Sequence, residues 1–170
     1  MKYLSTLLLL CFAMAVSAQA KYDIKKPFTD EKLAVFEIIV KLFDGMRAGD
    51  SAMVHSVFRE NPDIFTSSNN AEGKPMLHRG ELQKFLTAVG TPHDVAYDEP
   101  IWDVKIEIDG NLAMVWAPYA FYAGKNFSHC GVDAFLLNKN EDGWKIFHLT
   151  DTRQKEGCNV PESIKKGRDK

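Results

Sequence analysis

The sequence predicts an α+β domain in which three N-terminal helices pack on one face of a curved antiparallel sheet. Two observations predict it. Apolar residues recur with a period near 3.6 as far as Val89 and with a period of 2 after Ile101. The two kinds of segment are also segregated along the chain rather than alternating, which disfavours a parallel, doubly wound sheet. With 45% apolar and 11% aromatic residues, the chain can fill a substantial core.

Met1 to Ala20 reads as a cleavable export signal. Lys2 gives the short positive start, Tyr3 to Val16 is almost wholly apolar, and Ala18-Gln19-Ala20 supplies small residues at the cleavage site. The apolar run is shorter than the ~20 residues that cross a bilayer. The expected location is periplasmic or secreted, with no membrane attachment after cleavage. The domain then runs over 21–160, and 161–170, rich in Lys and Arg, is expected to fray.

The first helix spans Asp30 to Ala48: Thr29 is an N-cap type, Asp30 and Glu31 suit the positive helix end, and Leu33, Phe36, Val40 and Phe43 fall at helical spacing. Gly49-Asp50 breaks it, and Ser51 to Phe58 reads as a second, short helix closed by Asn61-Pro62. Asp63 to Ser67 suits a short strand and Ser68 to Pro75 a polar loop. A third helix follows from Gly80 to Val89, stopped by Gly90-Thr91-Pro92.

Beyond this, Trp102, Val104, Ile106 and Ile108 alternate with charged residues, a strand with one wet face. Asp109-Gly110-Asn111 turns the chain. Leu112 to Tyr122 is apolar on both parities, as in a strand covered on both faces. A second copy of the chain joined through the sheet would supply the outer cover, and a tail folding back would do so equally. Phe127 to Leu137 and Trp144 to Thr152 complete the meander around a turn at Asn140 to Gly143.

A long helix ending in Phe43-Asp44-Gly45-Met46-Arg47-Ala48-Gly49-Asp50, two further helices, a meander holding Ser128-His129-Cys130-Gly131-Val132-Asp133 and a last strand opening Gly143-Trp144-Lys145-Ile146 together resemble the nuclear transport factor 2-like superfamily, in particular its exported, SnoaL-like members. The resemblance covers Thr29 to Thr152. It implies a cone-shaped fold closed around a pocket of mixed apolar and polar character. Members of that superfamily include isomerases, dehydratases, hydrolases and non-catalytic binding modules, so the fold leaves the activity open.

The chemistry-bearing candidates lie on the sheet. His129 and Asp133 share strand parity, about 13 Å apart at ~3.3 Å per residue. A three-residue hairpin loop would pair Asn140 with Trp144 and set Asp133 opposite Asp151. Two carboxyls so placed in a dry pocket cannot both ionise cheaply, and one is kept protonated. Asp133 could instead pair with Arg153. In the resemblance, Asp133 lies near the strand position where ketosteroid isomerase keeps a protonated acid, but the first helix carries Phe36, Val40 and Phe43 where that enzyme has its tyrosine, which makes steroid isomerisation a poor fit.

Trp102, Trp116 and Tyr122 are expected as aromatic lining, and His78, before the third helix, as a further ligand contact. Tyr119 and Tyr122 have opposite parity, so at most one faces the cavity. No spacing suggests a metal site, and no phosphate loop or nucleophile elbow suggests a cofactor. The formal net charge of −2, one unit more negative once Lys2 is removed, disfavours nucleic acid as a partner. Cys130 and Cys158 remain after export, and an oxidising compartment permits them to pair or to stay as separate thiols.

The expectation from these residues is an exported domain that binds a small molecule of apolar or mixed polarity, with a homodimer through the sheet. The alternatives are cofactor-free acid–base catalysis by His129 with Asp133 or Asp151, and a non-catalytic protein-interaction module.

Overall fold

The computed structural model describes residues 28–166; the expected export signal lies outside them. Helix α1 spans Asp30–Ala48 and buries Val35, Phe36, Ile39, Leu42, Phe43 and Met46 along one stripe. Its C-terminus closes at Gly49, in the left-handed conformation (φ 68°), with the Asp50 amide donating to the Gly45 carbonyl. Asp50 then caps α2, Ser51–His55, by accepting from the Met53 amide at 2.8 Å. Helix α2 ends three residues earlier than its composition suggested, because Phe58 already pairs with the sheet.

The segment read as a short strand and a polar loop is a complete hairpin. Strand β1 spans Phe58–Asn69 and β2 spans Pro75–Gly80, paired antiparallel from Ile64↔Gly80 to Asn69↔Pro75. Polar residues hid β1: Arg59, Glu60, Asn61 and Asp63 carry no alternation, and Asn61 takes a positive φ of 51° where the register with its neighbour shifts. Helix α3 follows at Leu82–Gly90.

The remaining strands are β3 (Tyr97–Asp98), β4 (Lys105–Asp109), β5 (Leu112–Ala123), β6 (Asn126–Asn140) and β7 (Gly143–Thr152). The sheet runs β2-β1-β7-β6-β5-β3, with β4 also on β5. All pairs are antiparallel except β1 with β7, which run parallel. The all-antiparallel expectation fails there because β1 enters the sheet from helix α2 and lies alongside the last strand rather than joining the meander.

Helix α1 lies in the hollow of this curved sheet. Ala113, Val115 and Ala117 of β5, Phe135 and Leu137 of β6, and Trp144 and Ile146 of β7 form one buried cluster with it. Phe43 meets Phe135 edge to face, with centroids 6.4 Å apart. Burying each of the larger side chains of this cluster is worth about 1.5–3 kcal/mol, which makes the α1–sheet contact a major source of the domain's stability.

The outer face of the sheet divides in two. At one end Leu112, Met114 and Trp116 are exposed in the single chain, the stretch of β5 for which the sequence calls for an outer cover. At the other end Ala120, Tyr122 and Cys130 are buried with Trp102 beneath Val160, Cys158 and Ile164. A disulfide between Cys130 and Cys158 (Cα–Cα 6.0 Å) straps that segment down. Part of the region expected to fray forms a short helix, α4, at Glu162–Lys166. Among the described residues no helix is long and apolar enough to cross a membrane.

Candidate functional site

Between α1, α3 and the concave face of the sheet lies a cavity of about 520 Å³. Its walls are apolar: Leu42, Phe43 and Met46 of α1, Phe85 of α3, Phe135 of β6 and Leu149 of β7. Its polar end gathers Glu99, Tyr119, His129, Asp133, Asp151 and Arg153. His78 and Arg79 of β2 line it as well, with Glu81 and Lys84, His78 standing next to Thr66, whose other neighbour is Asp151.

Asp133 stands opposite Asp151, on the register the sequence suggested but by another route. The β6–β7 turn is one residue tighter than expected, pairing Asn140 with Gly143, which takes a φ of 98°. A bulge then inserts Phe147 between the Leu137↔Ile146 and Leu136↔His148 pairs and restores the count. Asp133 and Asp151 therefore share a face with Phe135 and Leu149 and point into the cavity.

The two aspartates are held differently. Asp151 accepts from Thr66 Oγ1 at 2.6 Å, from Tyr119 Oη at 3.2 Å and from Arg153 Nε at 2.5 Å. Tyr119 Oη also lies 2.9 Å from the Thr152 carbonyl, which competes for the same proton. Arg153 thus serves Asp151, not Asp133. Asp133 is 4% exposed and its Oδ2 has no hydrogen-bond partner. Its neighbour is Glu99, in the segment between β3 and Ile101, which couples to it through a side-chain hydrogen bond. Burial, with the negative charges of Glu99 and Asp151, keeps the Asp133 carboxyl protonated well above the usual carboxylate range. Burial also pushes Glu99 up to about 7, while its hydrogen bond to Asp133 opposes that rise. The pair therefore shares a proton near neutrality.

His129 lies at the same end, its ring tilted on Phe121 (5.2 Å) and edge-on to Tyr119 (5.7 Å). Desolvation, with Arg153 and Lys155 nearby, lowers its pKa, so the imidazole is neutral at physiological pH. Burial and the surrounding carboxyls raise the Tyr119 phenol, which stays a hydrogen-bond donor.

His129, Asp133, Asp151 and His78 all border the cavity. The expected aromatic lining does not. Trp102 and Tyr122 lie on the opposite face of the sheet under the disulfide-strapped segment, and Trp116 faces outward, 42% exposed. The reason is parity: even positions of β5 point away from the helices, and Tyr119, at an odd one, supplies the aromatic donor instead. Glu99 gave no sequence signal beyond an acidic pair, Asp98-Glu99, set directly before Pro100-Ile101. Among the described residues no group of three His, Cys, Asp or Glu side chains forms a metal site.

Solved structures share this architecture. A nuclear transport factor 2-like protein of unknown function from Shewanella baltica is 20% identical, covering 78% of this chain and 100% of its own, at a TM-score of 0.56. A cystatin-like-fold protein from Nostoc punctiforme is 10% identical, covering 77% and 97%, at 0.58. A protein from Streptomyces avermitilis, described as a putative dehydratase of the same family, is 17% identical, covering 77% and 100%, at 0.55. At these identities the likeness is one of fold. No curated protein matches the chain. The family model described as "Putative lumazine-binding" matches residues 30–149, helix α1 to strand β7. The chain belongs to that family, and its fold is shared with solved structures described as nuclear transport factor 2-like.

Proposed function

We propose that this protein is an exported small-molecule-binding domain whose ligand lies with its apolar body against Phe43, Phe85 and Phe135 and its polar end at Asp133 and Glu99. One observation carries the reading: a buried carboxyl with an unpartnered oxygen borders an apolar-walled cavity of about 520 Å³. An unsatisfied buried polar atom costs about 1–3 kcal/mol, and a ligand that supplies the missing partner recovers that cost on binding. The volume is in the range of ordinary ligand pockets, and the family's description speaks of binding a small molecule. The Cys130–Cys158 disulfide supports a site of action outside the cytoplasm. The exposed row Leu112, Met114 and Trp116 supports pairing of two copies through the outer sheet face.

A second reading, acid–base catalysis, is favoured by the juxtaposition of a protonated carboxyl at Asp133 with a neutral imidazole at His129 in one cavity. In it His129 takes a proton from the substrate and the Asp133–Glu99 pair supplies one. Asp151, committed to Arg153, Thr66 and Tyr119, positions these groups rather than exchanging protons.

Native mass spectrometry of the protein purified from its own host tests the binding reading. A retained small molecule is expected, and its loss in Asp133→Asn ties it to this cavity; undiminished retention in that variant places the ligand elsewhere. Turnover of the recovered molecule by the wild type, lost in His129→Ala, distinguishes the catalytic reading.

A further inference from the structure

Resting on the binding reading, the polar end of the cavity also indicates which chemical class of ligand it takes. We infer that the ligand carries a protonated amino group, which donates to the free oxygen of Asp133 beside Glu99.

Asp133 is buried and its Oδ2 has no donor within the protein. The Glu99 carboxyl lies beside it and bears on its ionisation, and the unpartnered oxygen is left to accept from a ligand. What the site lacks is a donor, and a ligand ending in a carbonyl alone leaves that oxygen unsatisfied.

The ion pairs then select charge. Each arginine or lysine bordering the cavity already holds a carboxylate: Arg79 pairs with Asp63, Lys84 with Glu81 and Arg153 with Asp151. No ion pair among the described residues includes Glu99 or Asp133. With Asp151 balanced by Arg153, the Glu99–Asp133 pair leaves the deep end negative whenever Glu99 is ionised. A buried negative charge without a counter-ion is costly, and a cation brought by the ligand removes that cost. An anionic group would meet three carboxyls and be excluded. Tyr119, whose ring borders the same end, offers an aromatic face to a cation.

The groups that act on the pair are Asp98 of β3, Tyr119 of β5, Asp151 of β7 and Arg153 beyond it, and His129 of β6 lines the same cavity. Acidification protonates Glu99, which removes the negative charge that attracts a cation. Amine affinity is therefore expected to fall as pH drops below about 7, the region in which Glu99 takes up its proton.

The test uses three probes of one shape and different charge: tryptamine, its neutral alcohol analogue tryptophol, and the anion indole-3-acetate. Binding to the disulfide-intact protein is measured by calorimetry at pH 8 and pH 5.5. The expected result is that tryptamine binds about tenfold more tightly than tryptophol at pH 8, the increment of one hydrogen bond to a charged group. Indole-3-acetate is expected to bind weakest, and the tryptamine preference to shrink at pH 5.5. Glu99→Gln is expected to reduce the preference to about onefold at both pH values. Tryptophol or indole-3-acetate binding as tightly as tryptamine at pH 8 overturns the amine inference and leaves a small-molecule pocket. Absence of binding by all three at millimolar concentration overturns the pocket reading as well.

Discussion

Glu99→Gln provides a quantitative test of the buried acid pair. Glu99 is raised from 4.5 to about 7 in the folded protein, chiefly by burial. An acid shifted upward binds more protons folded than unfolded between those two values, so raising the pH through that window removes stability, and none of it is removed below 4.5. At 1.36 kcal/mol per pH unit, the shift corresponds to about 3 kcal/mol lost by pH 8. Glutamine keeps the shape and one carbonyl, carries no charge, and places an amide donor beside Asp133. The variant is therefore expected to match the wild type at pH 4.5 and to exceed it by up to about 3 kcal/mol at pH 8, read from urea unfolding at a series of pH values. Parallel stability curves for the two proteins, or a Glu99→Gln variant weaker than wild type at pH 8, would refute the argument that the pair holds an uncompensated charge.

Three other outcomes follow from the packing. Gly131 lies where a Cβ would stand 1.8 Å from the Thr152 carbonyl oxygen, so Gly131→Ala is expected to cost about 3 kcal/mol, the upper end for overpacking, and to separate Asp133 from Asp151; an unfolding midpoint within a degree or two of wild type contradicts this packing. Cys130 and Cys158 close a loop with a sequence separation of 28, worth about 3–4 kcal/mol in the chain-entropy account; Cys158→Ser is expected to lose that much and to red-shift tryptophan emission as Trp102 is uncovered, and unchanged emission would show that the strap does not depend on the bond. Trp116→Glu, on the exposed face of β5, is expected to convert a dimer to monomers in sedimentation velocity, whereas an identical sedimentation coefficient for variant and wild type removes this face from any pairing.

Much of the fold was legible because its strongest signals are periodic. Helix α1 has the bounds that its apolar spacing and Gly49-Asp50 dictate, and β5 to β7 follow from alternation broken by turn residues. The β1–β2 hairpin escaped because its residues are polar and half exposed, so pairing rather than a hydrophobic pattern defines it. In the site, an assumed three-residue hairpin loop set Asp133 and Asp151 on one face. Their exact opposition rests on two compensating irregularities, a tighter turn and a bulge at Phe147, that no local signal announces. Glu99 was invisible for a different reason: it belongs to an irregular segment, and only the three-dimensional path from β3 to the Ile101–Tyr119 bridge brings it to Asp133. Trp102 and Tyr122 were misplaced because large aromatic residues fill any apolar environment, here the space beneath the strapped C-terminal segment, as readily as a pocket, and Trp116 because its strand parity turns it outward.

The account rests on the cavity being a ligand site with Asp133 and Glu99 at its polar end. A protein-observed NMR screen of a fragment set tests this most directly. Binding fragments are expected to shift the amides of Glu99, Tyr119, His129 and Asp133 together, and to lose affinity in Asp133→Asn. Fragments that shift only residues outside the cavity, or that bind Asp133→Asn as tightly as wild type, would contradict it.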